Sequence, residues 1–435
     1  MGALRLVSLF AISALPVTGL LPQGLEAPAH VMMDEIFIIR AHGLMPGSRA
    51  VLRAAMADSS GRAWIAEATF AADEKGQFST RRAPVAGSYA GPHPMGLIWA
   101  MAPDGKPSAA RYSPPDLTHV PLKVTLLVGE KPVDSLTIDR RFVSPRVRRV
   151  ESDRDSGLVW SLFTPKMHAI GAAILVLGGS EGGNSSEDIA AALASHGYTA
   201  ASLAYFNAPG VAEELKEIPL EYFEKAISEL ISRGFARSGR IGILATSKGA
   251  EAALLVASID KRVRAVVAYA PSSVAWSCIC SDATRPSWTL HGDEVPFLKP
   301  GRDPSYQPGA AMRPAVNYRY RMLTARNTLD ATIRVDRYRG RLMLIAGEDD
   351  QLWHSAEMAR QIQAQRSAGI YGRYDRYLLY PGAGHFIGKL FLPSGSTLIA
   401  GGRIDTGGSP TANALAQEDS WNKVLEFFRA AFSSR

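Results

Sequence analysis

The chain has 435 residues, 46% hydrophobic and 20% charged, with a formal net charge of +7. This length exceeds one ordinary core, so two or three domains are expected, and the apolar share excludes wholesale disorder. After the N-terminus no apolar run is long enough for a membrane span, which excludes a polytopic membrane protein. The basic excess is diffuse; it suits an anionic ligand and does not point to nucleic acid.

The chain opens with Arg5, an apolar run over residues 6–15, then Pro16, Gly19 and the small residues Ala27-Pro28-Ala29. Residues 1–29 therefore have the layout of a secretory leader and predict export. The competing readings are an unstructured leader on a cytoplasmic protein, or an internal start at Met32 or Met33. The cysteines, Cys278 and Cys280, are too few for a disulfide framework or a cysteine-rich zinc site, and their one-residue separation is a strained spacing for a bridge. No metal and no cofactor is expected.

Residues 30–143 read as a β-sandwich. Strands are predicted over 36–40, 63–70, 122–126 and 136–138, separated by turn residues such as Asp58-Ser59-Ser60-Gly61. His93, between Pro92 and Pro94, reads as a structural residue at a domain contact rather than a ligand or acid.

Residues 144–435 alternate strand and helix. Strands are expected over 157–163, 172–177, 199–204, 241–244, 263–269 and 342–346. Helices are expected over 187–196, capped by Ser185 or Ser186, over 220–231, ended by Gly234, and over 248–257. Trp421, Val424, Leu425 and Phe428 mark a closing amphipathic helix. Repeated βα units imply a doubly wound, mostly parallel sheet. The segment 282–339 breaks the rhythm and reads as a cap or long loop.

The chemistry centres on Ala245-Thr246-Ser247-Lys248-Gly249, where a strand turns sharply into a helix. This is a nucleophile elbow with Ala245 in place of the usual first glycine. A strand ending in Glu348-Asp349-Asp350 follows, then the Gly-rich turn Pro381-Gly382-Ala383-Gly384 and His385. Serine, acid, histidine is the α/β-hydrolase order. His385 would take the serine proton and Asp350 would orient the imidazole; Asp349 is the rival acid and Glu348 a weaker one. Oxyanion donors are expected from the backbone N–H of Lys248 and of Ser180 or Glu181, in the loop Gly178-Gly179-Ser180-Glu181-Gly182-Gly183.

With those motifs placed, the chain from about residue 33 onward resembles the acyl-CoA thioesterase and bile acid-CoA:amino acid N-acyltransferase family. The resemblance rests on Gly91-Pro92-His93-Pro94-Met95-Gly96, Leu203-Ala204-Tyr205-Phe206-Asn207, the elbow through Glu251, Tyr380-Pro381-Gly382-Ala383-Gly384-His385 and Gln417-Glu418-Asp419-Ser420-Trp421. It implies an immunoglobulin-like sandwich before an α/β-hydrolase. It also implies an acyl-CoA substrate, a Ser247–His385–Asp350 triad and an acyl-enzyme. Conjugating members carry Cys at the nucleophile position, so Ser247 favours hydrolysis over transfer to an amino acid. The alternatives are an exported carboxylesterase or lactone hydrolase, an acyl-CoA N-acyltransferase, and a non-catalytic binding protein. Arg140, Arg141, Arg146, Arg148 and Arg149 cluster at the junction; a structural ion-pair set is preferred there over a CoA-phosphate site.

Overall fold

The computed structural model describes residues 22–433 except 107, 151–155, 168, 238, 300, 389 and 395; the apolar leader lies outside them. In the first third, alternation sets the architecture. Along Arg49–Ala57, Leu52, Ala54 and Met56 are buried while Arg53 is exposed. That period-two pattern makes one face of a sheet and buries it. Ala63–Ala71 and Val120–Val128 pair with it on either side, and Lys131–Arg141 pairs with Val120–Val128, in a seven-stranded sheet. Gly24–Glu26, Arg40–His42 and Phe78–Ser79 form a three-stranded antiparallel sheet. Phe37, Ile39, Phe70 and Phe78 lie in the core that these sheets share.

One expectation changes here. Residues 36–39 are not in a strand; the ladder begins at Arg40. Ile39 is buried, but its N–H donates to the Thr80 side chain (3.2 Å), which takes the place of a ladder partner. Gly24–Glu26 is itself a strand, so ordered pairing starts upstream of Ala27-Pro28-Ala29.

The remainder builds an eight-stranded sheet. Its strands are β1 (Val147–Val150), β2 (Val159–Pro165), β3 (Ala173–Leu177), β4 (Thr199–Ala204), β5 (Ile241–Thr246), β6 (Val263–Tyr269), β7 (Arg341–Gly347) and β8 (Arg376–Tyr380). The spatial order is β1-β2-β4-β3-β5-β6-β7-β8. β1 and β2, and β2 and β4, pair antiparallel; all later pairs are parallel. The helices are α1 (Glu187–Ser195), α2 (Glu221–Ser232), α3 (Lys248–Ile259), α4 (Ala315–Thr324), α5 (Ser355–Ser367) and α6 (Pro410–Ser433). β3 is apolar throughout because both its faces are covered. Ile174 and Val176 join the core continuous with the N-terminal sheets, and Ala173, Leu175 and Leu177 join the core beneath α2 and α3. A strand order of this kind, with a serine turn after β5, is that of an α/β-hydrolase.

Ser186 occupies the N-cap of α1 without a side-chain cap bond. Glu187 and Asp188 in the first turn face the positive helix end instead, and Asp188 accepts the Ile189 N–H (2.8 Å). The segment 282–339 contains a short strand, Trp288–Leu290, and α4, which packs over Trp276 and Trp353. Cys278 and Cys280 are bridged across the one intervening residue. Isolated bridges Leu215–Ile279 and Ser277–Pro286 hold that stretch, and the cysteine Cα atoms lie 5.4 Å apart, within disulfide reach.

Candidate active site

Ser247 follows β5 and caps α3. Its backbone sits at φ +56°, ψ −122°, a left-handed conformation costly for any residue with a Cβ. The conformation is held from both sides: the Ser247 N–H donates to Tyr269 O (2.9 Å), and the Ser247 carbonyl accepts from Glu251 N–H (3.0 Å). At Gly249 a Cβ would lie 2.2 Å from Gly178 O, so only glycine lets the elbow pass under the 178–183 loop. Ala245 is buried on the strand, where its methyl joins the core; the departure from glycine is accommodated.

β7 ends at Gly347 and delivers Asp350 three residues later; β8 ends at Tyr380 and delivers His385. A Cβ at Gly384 would meet Gly407 O at 2.0 Å, so glycine is what allows the histidine loop to lie against residues 406–408. His385 Nδ1 is 2.9 Å from Asp350 Oδ2, and both side chains are 1% exposed. A carboxylate only accepts, so Nδ1 carries the proton and Nε2 bears the free lone pair. Nε2 is buried and, among the described residues, has no hydrogen-bond partner. Asp350 also accepts from Leu352 N–H (2.9 Å), Trp353 N–H (3.2 Å) and Ser355 Oγ (2.5 Å). Those four bonds hold it as a fixed acceptor.

The rival acids point elsewhere. Asp349 accepts from Gln351 Nε2 (2.6 Å) and Gly408 N–H (3.0 Å), and Glu348 pairs with Arg360. Ser247 and His385 line one cavity of about 470 Å³, with Ser180, Glu181, Ile189 and Phe386 among its walls. The 178–183 loop lies directly over the serine: a Cβ on Gly179 would be 3.2 Å from Ser247 Cβ. Lys248 is the first residue of α3, so its N–H has no intrahelical acceptor. The arrangement has the parts for acyl transfer: a strained hydroxyl, a base with an open lone pair and an orienting acid, with backbone N–H groups to hand.

Sequence reasoning missed several supports. Tyr205, buried, donates to Gly178 O (2.8 Å) and pins the loop. Lys248 Nζ lies 2.8 Å from each carboxylate oxygen of Glu251, and both side chains are almost fully buried. Glu251 also accepts from Trp276 N–H (3.0 Å) and Trp288 Nε1 (2.7 Å). Burial pushes the Glu251 carboxyl up and the Lys248 ammonium down, each against the pull of the other. The i, i+3 spacing of Lys248 and Glu251 was the available signal.

Of the junction arginines, Arg140 is fully buried and donates to Phe391 O (2.9 Å) and Met33 O (3.3 Å). Arg141 pairs with Asp139, and Arg149 with Glu187 (2.7 Å). These three are structural, as preferred. His93 packs edge-on to Trp99 with ring centroids 6.2 Å apart, also in keeping with its structural reading. Among the described residues no cluster of three or more metal-ligating side chains occurs, and no helix is long and apolar enough to cross a membrane.

The chain matches "Acyl-CoA thioester hydrolase/BAAT N-terminal region" over residues 34–153 and "BAAT / Acyl-CoA thioester hydrolase C terminal" over residues 218–434. It is 31% identical to rat acyl-coenzyme A thioesterase 1, over 93% of this chain and 95% of that one. It is 30% identical to mouse acyl-coenzyme A amino acid N-acyltransferase 1, over 93% of this chain and 96% of that one. Among solved structures it is similar to MGS-M1, an alpha/beta hydrolase enzyme from a deep-sea metagenome library: 14% identity, TM-score 0.41, covering 66% of this chain and 98% of that one. By these two matches and by relatives that align over nearly its whole length, the chain belongs to the acyl-CoA thioester hydrolase/BAAT family.

Proposed function

We propose that this chain hydrolyses acyl-CoA thioesters through an acyl-serine intermediate. Ser247 attacks the thioester carbonyl as His385 Nε2 takes its proton. The oxyanion is met by the N–H of Lys248 and one from Ser180 or Glu181. Collapse breaks the C–S bond, and the imidazolium returns its proton to the departing CoA sulfur. Water then enters and gives a proton to His385 as its oxygen attacks the acyl carbon; collapse breaks the bond to Ser247 Oγ, which takes that proton back from His385, leaving a carboxylic acid. Asp350 keeps the imidazole in the required tautomer throughout. In this reading residues 144–435 are the catalytic unit and residues 30–143 an immunoglobulin-like sandwich, a layout supported by the two sheets and shared core before Val147.

The observation that carries the proposal is the His385–Asp350 contact at 2.9 Å, with His385 lining the cavity that holds Ser247 and its Nε2 without a partner among the described residues. Steady-state hydrolysis of a series of acyl-CoAs and of p-nitrophenyl esters tests it. Thioester turnover that falls at least about a thousandfold in Ser247→Ala is expected. Full activity in that variant, or a strong preference for oxygen esters, would overturn it. Transfer to an amino acid is the second reading, favoured by the N-acyltransferase relative at 30% identity; an N-acyl amino acid product formed when glycine or taurine is supplied would establish it.

A further inference from the structure

The catalytic cavity is not walled by the hydrolase part alone. Tyr112, from the stretch before Val120–Val128, packs edge-on to Trp64 with ring centroids 5.4 Å apart, and its hydroxyl donates to Ala57 O (3.0 Å). That anchors the stretch in the N-terminal core. The neighbouring Arg111 lies in the catalytic cavity wall, its guanidinium carbon 3.6 Å above the ring of Phe386. Phe386 is next to His385 in sequence, and the two rings lie 5.2 Å apart. Arg111, Tyr112, Ser185 and Phe386 also line a second cavity, of about 300 Å³, so the guanidinium stands where the two meet.

The charge of Arg111 is unanswered. Among the described residues no carboxylate lies within ion-pair distance of it. Glu181 attracts it from farther off, while the surrounding protein pushes its pKa down. The acidic groups that line the second cavity are engaged elsewhere: Glu187 with Arg149 (2.7 Å) and Asp188 with the Ile189 N–H (2.8 Å). Arg111 itself is exposed. A planar guanidinium stacked on an aromatic ring is oriented to take an oxyanion through two N–H groups.

The geometry points to Arg111 as the residue that receives an anionic group of the thioester substrate, at the mouth between the two cavities. The inference rests on the thioesterase reading. The anion has two sources, a phosphate of the CoA half or a carboxylate on the acyl half.

The full chain is compared with Arg111→Gln and Arg111→Lys on three substrates. These are a plain acyl-CoA, the same acyl group on N-acetylcysteamine, which lacks phosphates, and an acyl-CoA of equal length ending in a carboxylate. A phosphate partner lowers the kcat/KM ratio of acyl-CoA to acyl-N-acetylcysteamine about tenfold in Arg111→Gln. An acyl carboxylate partner lowers the ratio of carboxylated to plain acyl-CoA about tenfold instead. Either effect should fall on KM, and Arg111→Lys should recover part of it. Neither ratio moving overturns the assignment. Titration of coenzyme A and of glutaric acid into wild type and Arg111→Gln judges the site without turnover. Weaker binding of one of them to the variant supports the site even if wild type hydrolyses no thioester, which would sink only the functional reading. Equal binding of both by the two proteins overturns it.

Discussion

Lys248 Nζ sits 2.8 Å from both oxygens of Glu251, one turn of α3 beyond Ser247. Glu251 in turn accepts the Trp276 N–H and the Trp288 indole N–H, so the first turn behind the elbow is tied to the segment over the sheet edge. Removing one member leaves a buried charge without its counter-ion. Lys248→Met should destabilise the fold by about 3–5 kcal/mol. In that variant Glu251 loses the group that lowers its pKa, so the folded state holds its proton above the unfolded value. Stability should then be greatest at low pH and fall as pH rises through the unfolded and toward the folded pKa, by at most about 1.4 kcal/mol per pH unit. Denaturant melts at several pH values measure this; a variant as stable as wild type at every pH would refute it.

Asp350→Asn should cut kcat by about 10³–10⁴-fold, because an amide can donate to Nδ1 and favour the wrong tautomer. Asp349→Asn should cost only a few-fold, since Asp349 bonds Gln351 and Gly408 and not the imidazole. The reverse ranking in steady-state rates would move the acid role to Asp349.

Gly249→Ala puts a methyl against the Gly178 carbonyl, at 2.2 Å if nothing moved. The elbow and the 178–183 loop must separate. Overpacking of this kind costs about 1–3 kcal/mol, and kcat should fall by more than the stability loss explains. Thermal melts beside single-turnover rates would check this; wild-type kcat would refute the close contact.

Asp34 joins the two halves: His196 Nε2 lies 2.5 Å away and Trp421 Nε1 donates at 2.8 Å. Burial pushes the Asp34 carboxyl up, but the His196 bond and charge, with the Trp421 bond, outweigh it and hold the pKa below the ordinary value. Its contribution is therefore full above the unfolded pKa and is lost as pH falls through the folded one. Asp34→Asn should lose about 1–2 kcal/mol at neutral pH. It should also flatten the acid side of the stability curve, as melts between pH 3 and pH 7 would register.

The hydrolase half was readable because its chemistry is local. Ser247, its small neighbours and α3 are consecutive, and His385 follows its strand by a few residues. Asp350 is preferred over Asp349 for its distance past the strand end, and it is Asp350 whose carboxylate lies beside His385 Nδ1. Arg111 left no such trace: it lies 136 positions before Ser247 (247 − 111), and only the docking of two halves brings it to Phe386. The stretch 36–39 misled because apolar, β-branched residues look alike in a ladder and in an extended segment bonded to one threonine. The bridge between Cys278 and Cys280 depended on how Ile279 and Ser277 are pinned by partners far along the chain.

The core running unbroken from Phe70 and Phe142 to Ile174 and Phe428 has a consequence for rearranging this protein. Neither half can be lifted away without baring apolar surface, and Arg140 would leave its partner at Phe391 O. The wall that Arg111 contributes is thus fastened as firmly as the strands themselves. A chimera that exchanges residues 30–143 for a relative's must replace the matching half of the seam along with them, or the melt will report a weakened whole rather than a new specificity.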